Sequence, residues 1–157
     1  MSDVTPCLWF DGQAEEAAEF YVSLFPNSSV DAVSRYGGAG PGKTGSAMTV
    51  SFQLDGRPFL ALNGGPHYRF TPAVSFIRNC ETQEEVDSLW HRLLDGGTPQ
   101  QCGWITDRFG VSWQIVPNAL MELLSGPDAA AGQRVMKAML GMVKLDIAGL
   151  RAAAAAH

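Results

Sequence analysis

Cysteine is scarce in this chain, and the three residues present, Cys7, Cys80 and Cys102, are widely spaced. An odd number of separated cysteines does not suggest a disulfide framework, and no cysteine or histidine occurs at the spacing of a zinc site. The thiols are therefore predicted to be reduced core residues of a cytoplasmic protein.

Basic residues are also few. The net charge is −5, and the arginines are scattered along the chain. A protein that follows a phosphate backbone needs a basic patch, so nucleic acid is not an expected partner. Long apolar runs are missing too, and the N-terminal residues lack a basic segment followed by an apolar one. The sequence thus predicts a soluble protein without membrane contact.

The first half of the chain predicts one strand, one helix and three further strands. The helix is placed at Gln13–Phe25, where apolar residues recur on one face and Pro26 follows. Residues 37–43 are rich in glycine, but their spacing is not that of a phosphate-binding loop. The strands are predicted at Val4–Phe10, Ser29–Tyr36, Met48–Leu54 and Arg57–Asn63, with a turn at Asp55-Gly56 between the last two.

The second half repeats this order. Its predicted helix, Gln83–Leu94, matches the first one almost position for position, from Glu15 with Glu84 to Phe25 with Leu94. The match indicates an internal duplication. A repeated half that cannot cover its own sheet face should pack with the other half. The strands of this half are predicted at Val74–Cys80, Thr98–Gln101, Gly103–Thr106 and Val111–Val116.

These elements predict an α+β fold of two tandem βαβββ modules, which form a curved mixed sheet around a cleft and are followed by C-terminal helices. We expect a single domain over residues 1–157, with modules at 1–66 and 73–117 and a helical extension at 118–157. The extension is rich in methionine and other apolar residues. Its apolar surface is covered either by the same chain or by a second copy, and the two are compatible.

The stretch Cys102–Pro117 predicts a β-hairpin around the turn Asp107–Gly110. In its last strand Gln114 faces away from Trp113 and Ile115. An inward glutamine is either a satisfied core amide or the floor of a pocket. Asp107-Arg108 fits a turn better than an acid–base pair.

Three groups of residues carry a resemblance: Phe20-Tyr21, Asn63-Gly64-Gly65-Pro66, and Asp107-x-Phe109-Gly110-x-x-Trp113-Gln114-x-x-Pro117. With them the chain resembles the vicinal-oxygen-chelate superfamily, which includes glyoxalase I, extradiol dioxygenases and bleomycin-resistance proteins. More narrowly it resembles the PhnB-like branch, whose domain is named after demethylubiquinone methyltransferase. Members of that branch carry a tail similar to Arg134–Met139 and Lys144–Ile147.

The metal enzymes of this superfamily hold a divalent ion with one side chain from each of four strands, usually histidine or glutamate. The resemblance places these positions at Thr5, Phe59, Ser75 and Gln114. Phenylalanine cannot ligate, and neutral hydroxyl and amide oxygens replace carboxylate and imidazole poorly. The resemblance therefore implies that the metal site is absent, and we predict no metal or cofactor.

Strand alternation predicts which residues line the cleft. If Leu60 and Leu62 face the helices, then Phe59 and Asn63 face the cleft. The predicted cleft has few polar groups and no evident general base, since His67 and His91 are expected at the surface and Cys7 has no nearby histidine. It is lined by Thr5, Cys7, Trp9, Phe59, Asn63, Ser75 and Gln114, with Trp104 above them.

The main functional hypothesis is binding of a small organic molecule in this cleft by a homodimer. The alternatives are an enzyme of the same superfamily, with or without metal, of lyase, isomerase or dioxygenase type, and the methyltransferase that the domain name suggests. Methyl transfer is disfavoured because no glycine-rich loop follows the first strand. Asn63, Ser75 and Gln114 either bind the ligand or form a buried polar network.

Overall fold

The computed structural model describes residues 3–157 of the chain. Over these residues the strands form two four-stranded mixed sheets, and the chain divides into two units between Phe70 and Thr71. The order strand, helix and three strands occurs once in each unit. The predicted α+β class with tandem βαβββ modules is confirmed.

The first unit contains β1 (Cys7–Phe10), α1 (Ala14–Leu24), β2 (Ser29–Arg35), β3 (Ala47–Leu54) and β4 (Arg57–Asn63). The strand order is β1-β4-β3-β2, in which β1 runs parallel to β4 and the other pairs are antiparallel. The turn between β3 and β4 has positive φ angles at Asp55 (51°) and Gly56 (76°). Two such residues are typical of the tight hairpin turn that Asp-Gly predicts.

Helix α1 covers the face of the first sheet that carries Val50, Phe52, Phe59 and Ala61. Tyr21 of the helix stacks on Phe52 with ring centroids 6.4 Å apart, and Phe52 stacks on its cross-strand partner Phe59 at 5.4 Å. Residues directly opposite in an antiparallel pair share a face. The prediction that Leu60 and Leu62 face the helix is therefore wrong.

The second unit begins with β5 (Ser75–Cys80), α2 (Gln83–Leu94), β6 (Thr98–Pro99), β7 (Trp104–Thr106) and β8 (Ser112–Pro117). Its strand order is β5-β8-β7-β6, again with one parallel pair, β5 and β8. The predicted hairpin is confirmed as the antiparallel pair β7 and β8. Beneath α2 lies an apolar core that includes Ile105, Trp113, Ile115, Val86 and Leu93.

Three helices complete the second unit: α3 (Asn118–Leu124), α4 (Ala129–Leu140) and α5 (Ile147–Ala155). They bury Leu120, Val135, Leu145 and Leu150 in a cluster of their own. Packing on the same chain thus accounts for this cluster, while Met121, Met136, Leu140 and Val143 remain exposed. The longest described helices have 12 residues, and none within residues 3–157 has the length and apolar character needed to cross a membrane.

Hydrogen bonds tie the segment between α4 and α5 to the rest of the second unit. The backbone N–H of Cys102 donates to Met142 and that of Gly103 donates to Val143, each at 2.8 Å. The side chain of Gln83, at the start of α2, donates to the carbonyl of Leu145 at 3.1 Å and accepts from the N–H of Ile147 at 2.8 Å. This amide therefore joins α2 to the beginning of α5.

Replacing Gln83 with alanine is expected to lower the free energy of unfolding by about 1–3 kcal/mol, because two partly buried backbone groups lose their partner. Urea unfolding followed by tryptophan fluorescence measures the change. Gln100→Ala is the matched control, since Gln100 is exposed and its backbone bond to Trp104 is retained. Equal stability of the two variants would contradict the role assigned to Gln83.

Candidate functional site

Gln114 lies near the middle of β8, on the face of the second sheet opposite α2. Trp113 and Ile115 are buried toward the helix, so alternation turns Gln114 the other way. Its side-chain Nε2 donates to Ser75 Oγ across the parallel pair at 2.9 Å. Trp104 and Ile77 are its neighbours on β7 and β5. The structure thus brings together three of the predicted site residues, Ser75, Trp104 and Gln114.

This face also carries hydrogen-bonding groups that are not used within the described part of the chain. The Ser75–Gln114 bond leaves Gln114 Oε1 without a donor there. Ser112, two residues before Gln114 on the same face, has a buried hydroxyl with no partner among residues 3–157. A buried hydroxyl without a partner costs free energy unless a buried water satisfies it.

Ser112 was missed in the sequence. The signal that could have found it is its spacing of two residues from Gln114, which places both on one face of a strand. We name the set Ser75, Ser112 and Gln114, with Trp104 and Ile77 beside it, the amide site. Its polar members are all neutral.

In the first unit, Cys7 and Trp9 lie on the sheet face opposite α1, with Leu60 and Leu62 as their partners on β4. The indole N–H of Trp9 donates to the carbonyl of Gly65 at 2.8 Å, and its ring meets Tyr68 edge to face at 4.9 Å. Thr5 precedes β1 and is exposed. The predicted orientation of Cys7 and Trp9 away from the helix agrees with the structure.

Phe59 and Asn63 do not lie on that face. Phe59 stacks on Phe52 beneath α1. Asn63 Oδ1 accepts from the N–H of Ala14 at 2.9 Å, and its Nδ2 donates to the carbonyl of Ala47 at 3.0 Å. Asn63 therefore caps α1, whose preceding residue Gln13 makes no side-chain capping bond. The prediction that these two residues line the cleft is corrected, and a cleft shared by the other six stays a prediction.

Four titratable residues were candidates for a nucleophile or a general base, and the structure does not place any of them in such a role. They are Cys7, His67, His91 and Asp107. Burial raises the pKa of the Cys7 thiol, which is the opposite of activation. His67 and His91 are exposed. The carboxylate of Asp107 is occupied, because Oδ1 accepts from the N–H groups of Phe109 (2.8 Å) and Val111 (3.0 Å) and Oδ2 accepts from the indole N–H of Trp113 (2.9 Å). Asp107 is thus a turn residue, as predicted.

The four positions of the superfamily's metal ligands do not fit a metal ion. Phe59 stacks beneath a helix, Thr5 precedes its strand, and the amide of Gln114 is bonded to the hydroxyl of Ser75. Within residues 3–157 no three His, Cys, Asp or Glu side chains are grouped so as to hold a metal. Neutral amide and hydroxyl oxygens bind such ions weakly.

Comparison with known proteins gives consistent matches over the two modules. The model of the family described as 3-demethylubiquinone-9 3-methyltransferase matches residues 2–116. A PhnB protein from Bacillus cereus is 38% identical over 74% of this chain and 99% of its own length, with a TM-score of 0.69. Protein PA1353 from Pseudomonas aeruginosa is 21% identical over 74% of this chain and 98% of its own, with a TM-score of 0.62.

The fosfomycin resistance protein FosX from Listeria monocytogenes is 16% identical over 80% of this chain and 98% of its own, with a TM-score of 0.55. At that identity the likeness concerns the fold alone. A search of curated proteins found no match. The family model ends before α3, so the matched region comprises the two modules.

Proposed function

We propose that this chain, which belongs to the 3-demethylubiquinone-9 3-methyltransferase family, is a glyoxalase-like protein that binds a small organic molecule at the amide site. The family has the fold of the vicinal-oxygen-chelate superfamily. Within that fold, the polar groups at the site are neutral amide and hydroxyl groups. The proposal is therefore one of recognition by hydrogen bonds, without a metal.

The bond between Gln114 and Ser75 carries the proposal. It fixes the amide plane, so that Gln114 Oε1 remains as an acceptor. Trp104 and Ile77 flank Gln114 with apolar surface, and Ile77 is 58% exposed. A few fixed polar groups beside apolar side chains suit a small molecule with one hydrogen-bonding end and one apolar body.

Methyl transfer is the second candidate, and the name of the family is what favours it. It requires a methyl donor such as S-adenosylmethionine to bind. Such donors are commonly bound at the carboxyl ends of parallel strands in doubly wound sheets, whereas both sheets here are mixed and mainly antiparallel. The two candidates therefore differ in whether S-adenosylmethionine binds.

We further propose that the protein is a cytoplasmic homodimer. The exposed apolar side chains Met121, Met136, Leu140 and Val143 belong to the C-terminal region, where an isologous contact would cover them. The proposed compartment rests on the sequence, whose three widely spaced cysteines do not suggest a disulfide framework.

Native mass spectrometry of protein purified without added metal or a metal-affinity tag tests these points together. We expect a dimer that carries no metal and retains an organic mass. Gln114→Ala and Ser75→Ala are expected to lose that mass, because each removes the Gln114–Ser75 bond. Gln53→Ala, whose amide bonds to exposed Asp31, is the matched control and is expected to retain it.

One divalent ion per chain in the native mass spectrum, removed by a chelator together with the retained organic mass, would overturn the metal-free proposal. Saturable binding of added S-adenosylmethionine, lost in Gln114→Ala, would favour methyl transfer instead. A monomer at micromolar concentration would refute the dimer and leave the amide site to be judged by the retained mass.

A further inference from the structure

A cavity of about 650 Å³ opens in the first unit, where β1 and β4 end and α1 begins. All of its lining residues belong to this unit, and none is part of the amide site. Five of them carry acidic or basic side chains: Asp11, Glu15, Arg35, Lys43 and His67. We name this cavity the loop pocket, after the glycine-rich loop 37–46 that forms one wall.

The wall is held by a buried aromatic ring. Tyr36 is 7% exposed, its hydroxyl donates to the carbonyl of Asn63, and its backbone exchanges hydrogen bonds with Gly45 and Ser46. A Cβ at Gly42 would lie 2.2 Å from the Tyr36 ring, so the loop passes directly over it. Since both ends and the middle of the loop are fixed around Tyr36, the pocket is formed before any ligand binds.

The charges of the pocket are only partly compensated. Arg35 Nη1 donates to Glu15 Oε1 at 3.2 Å and to the carbonyl of Gly45 at 3.4 Å, which pairs one cation with one carboxylate. Asp11 and Lys43 have no ion-pair partner among residues 3–157. One carboxylate and one ammonium group therefore remain to face a ligand. A simple anion would satisfy Lys43 and be repelled by Asp11, whereas a molecule with both charges satisfies the two.

We propose that the loop pocket binds a small zwitterion of the α-amino acid type, with its ammonium group toward Asp11 and its carboxylate toward Lys43. Its volume lies in the range of small-molecule sites. Because both side chains are exposed, each ion pair contributes little, and the dissociation constant is expected on the order of 1 mM.

The test follows backbone amide signals of the full chain by NMR during titration with L-glutamine. Blocked forms of the same molecule, Nα-acetyl-L-glutamine and L-glutaminamide, each lack one charge. Shifts are expected at Gly12, Gly42 and Gly64, which line the pocket, and each blocked form is expected to bind about fivefold more weakly. Saturable shifts confined to the pocket, with both losses, support the proposal.

Variants that remove one charge from the pocket test whether Lys43 and Asp11 recognise the two charges of the ligand. Lys43→Met is expected to weaken L-glutamine about fivefold and to abolish the preference for L-glutamine over L-glutaminamide. Asp11→Asn is expected to abolish the preference over the acetylated form. Lys137→Met, on α4, is the control and leaves all three affinities unchanged. Absence of saturable shifts up to about 50 mM, or equal affinity for the free and acetylated forms, overturns the proposal whether or not the amide site binds a ligand.

Discussion

Replacing Asp107 with alanine is expected to lower the free energy of unfolding by about 3–5 kcal/mol. Asp107 is 4% exposed, and its carboxylate accepts from two backbone N–H groups and the indole N–H of Trp113. The substitution leaves all three donors without this acceptor in a buried place, and bonds to a charged acceptor are the stronger class. Chemical unfolding in urea, followed by tryptophan fluorescence and circular dichroism, measures the loss.

Two further variants distinguish the contribution of the Asp107 carboxylate from that of the neighbouring Arg108 ion pair. Asp107→Asn keeps one acceptor oxygen but faces an N–H₂ group toward a donor, so an intermediate loss is expected. Asp95→Ala removes the other end of the Arg108 ion pair at a side chain that is 82% exposed, and it is expected to change stability by less than about 0.5 kcal/mol. A loss below about 1 kcal/mol for Asp107→Ala would show that these bonds do not hold the turn.

Gly97→Ala is expected to lower the free energy of unfolding by about 3 kcal/mol. A Cβ at this position would lie 2.3 Å from the carbonyl oxygen of Leu93 and 2.6 Å from that of Thr106. Both are backbone atoms, one near the end of α2 and one in β7, so relief requires the helix to move away from the strand. The same urea experiment, with thermal unfolding as a second measurement, reports the loss.

Gly126→Ala is the matched control for this substitution. Its Cβ would meet the nearest atoms at 3.7 Å and 3.8 Å, which are ordinary contacts. Alanine also restricts the unfolded chain more than glycine, so unchanged or slightly higher stability is expected. If both variants behaved alike, the close approach of α2 to β7 at Gly97 would be contradicted.

Local signals in the sequence were sufficient for much of the fold. The bounds of β4 and α2 are those predicted, and the Asp55-Gly56 turn has the predicted backbone conformation. These features depend on residues close together in the chain. Helix α4 begins at Ala129, where the side chain of Asp128 accepts from the N–H groups of Ala130 and Ala131. An aspartate directly before a helical segment is a local start signal of the same kind.

The orientation of β4 could not be obtained in the same way. Its residues Phe59 to Leu62 are all apolar, so no polar alternation marks one face. The larger Leu60 and Leu62 suggested the core, yet Ala61 is fully buried because α1 presents Ala14, Ala17 and Ala18 and is close to the sheet. Asn63 lies on this face because α1 needs a capping acceptor from 49 residues away. Only tertiary contacts contain that information.

The sequence predicts the strand faces of the amide site but not all of its hydrogen bonds. Ser75 and Gln114 lie on regular strands, each next to an aromatic residue, Phe76 or Trp113, on the opposite face of the sheet, so the alternation is clear. That the hydroxyl of Ser112 is unpaired among residues 3–157 depends on which groups surround it after folding. A sequence pattern gives its face but not its hydrogen bonds.

The hydrogen bonds from Gln83, Cys102 and Gly103 join the region shared with the family to the segment before α5, which lies outside that region. The family model ends at residue 116, so the region recognisable by descent stops before the helices that cover Val116. In this chain the packed second unit therefore extends beyond the homologous region. A gene shortened to the family boundary would encode both modules but not Leu145 and its apolar neighbours. The protein that it encodes would expose apolar surface around Val116, which favours aggregation.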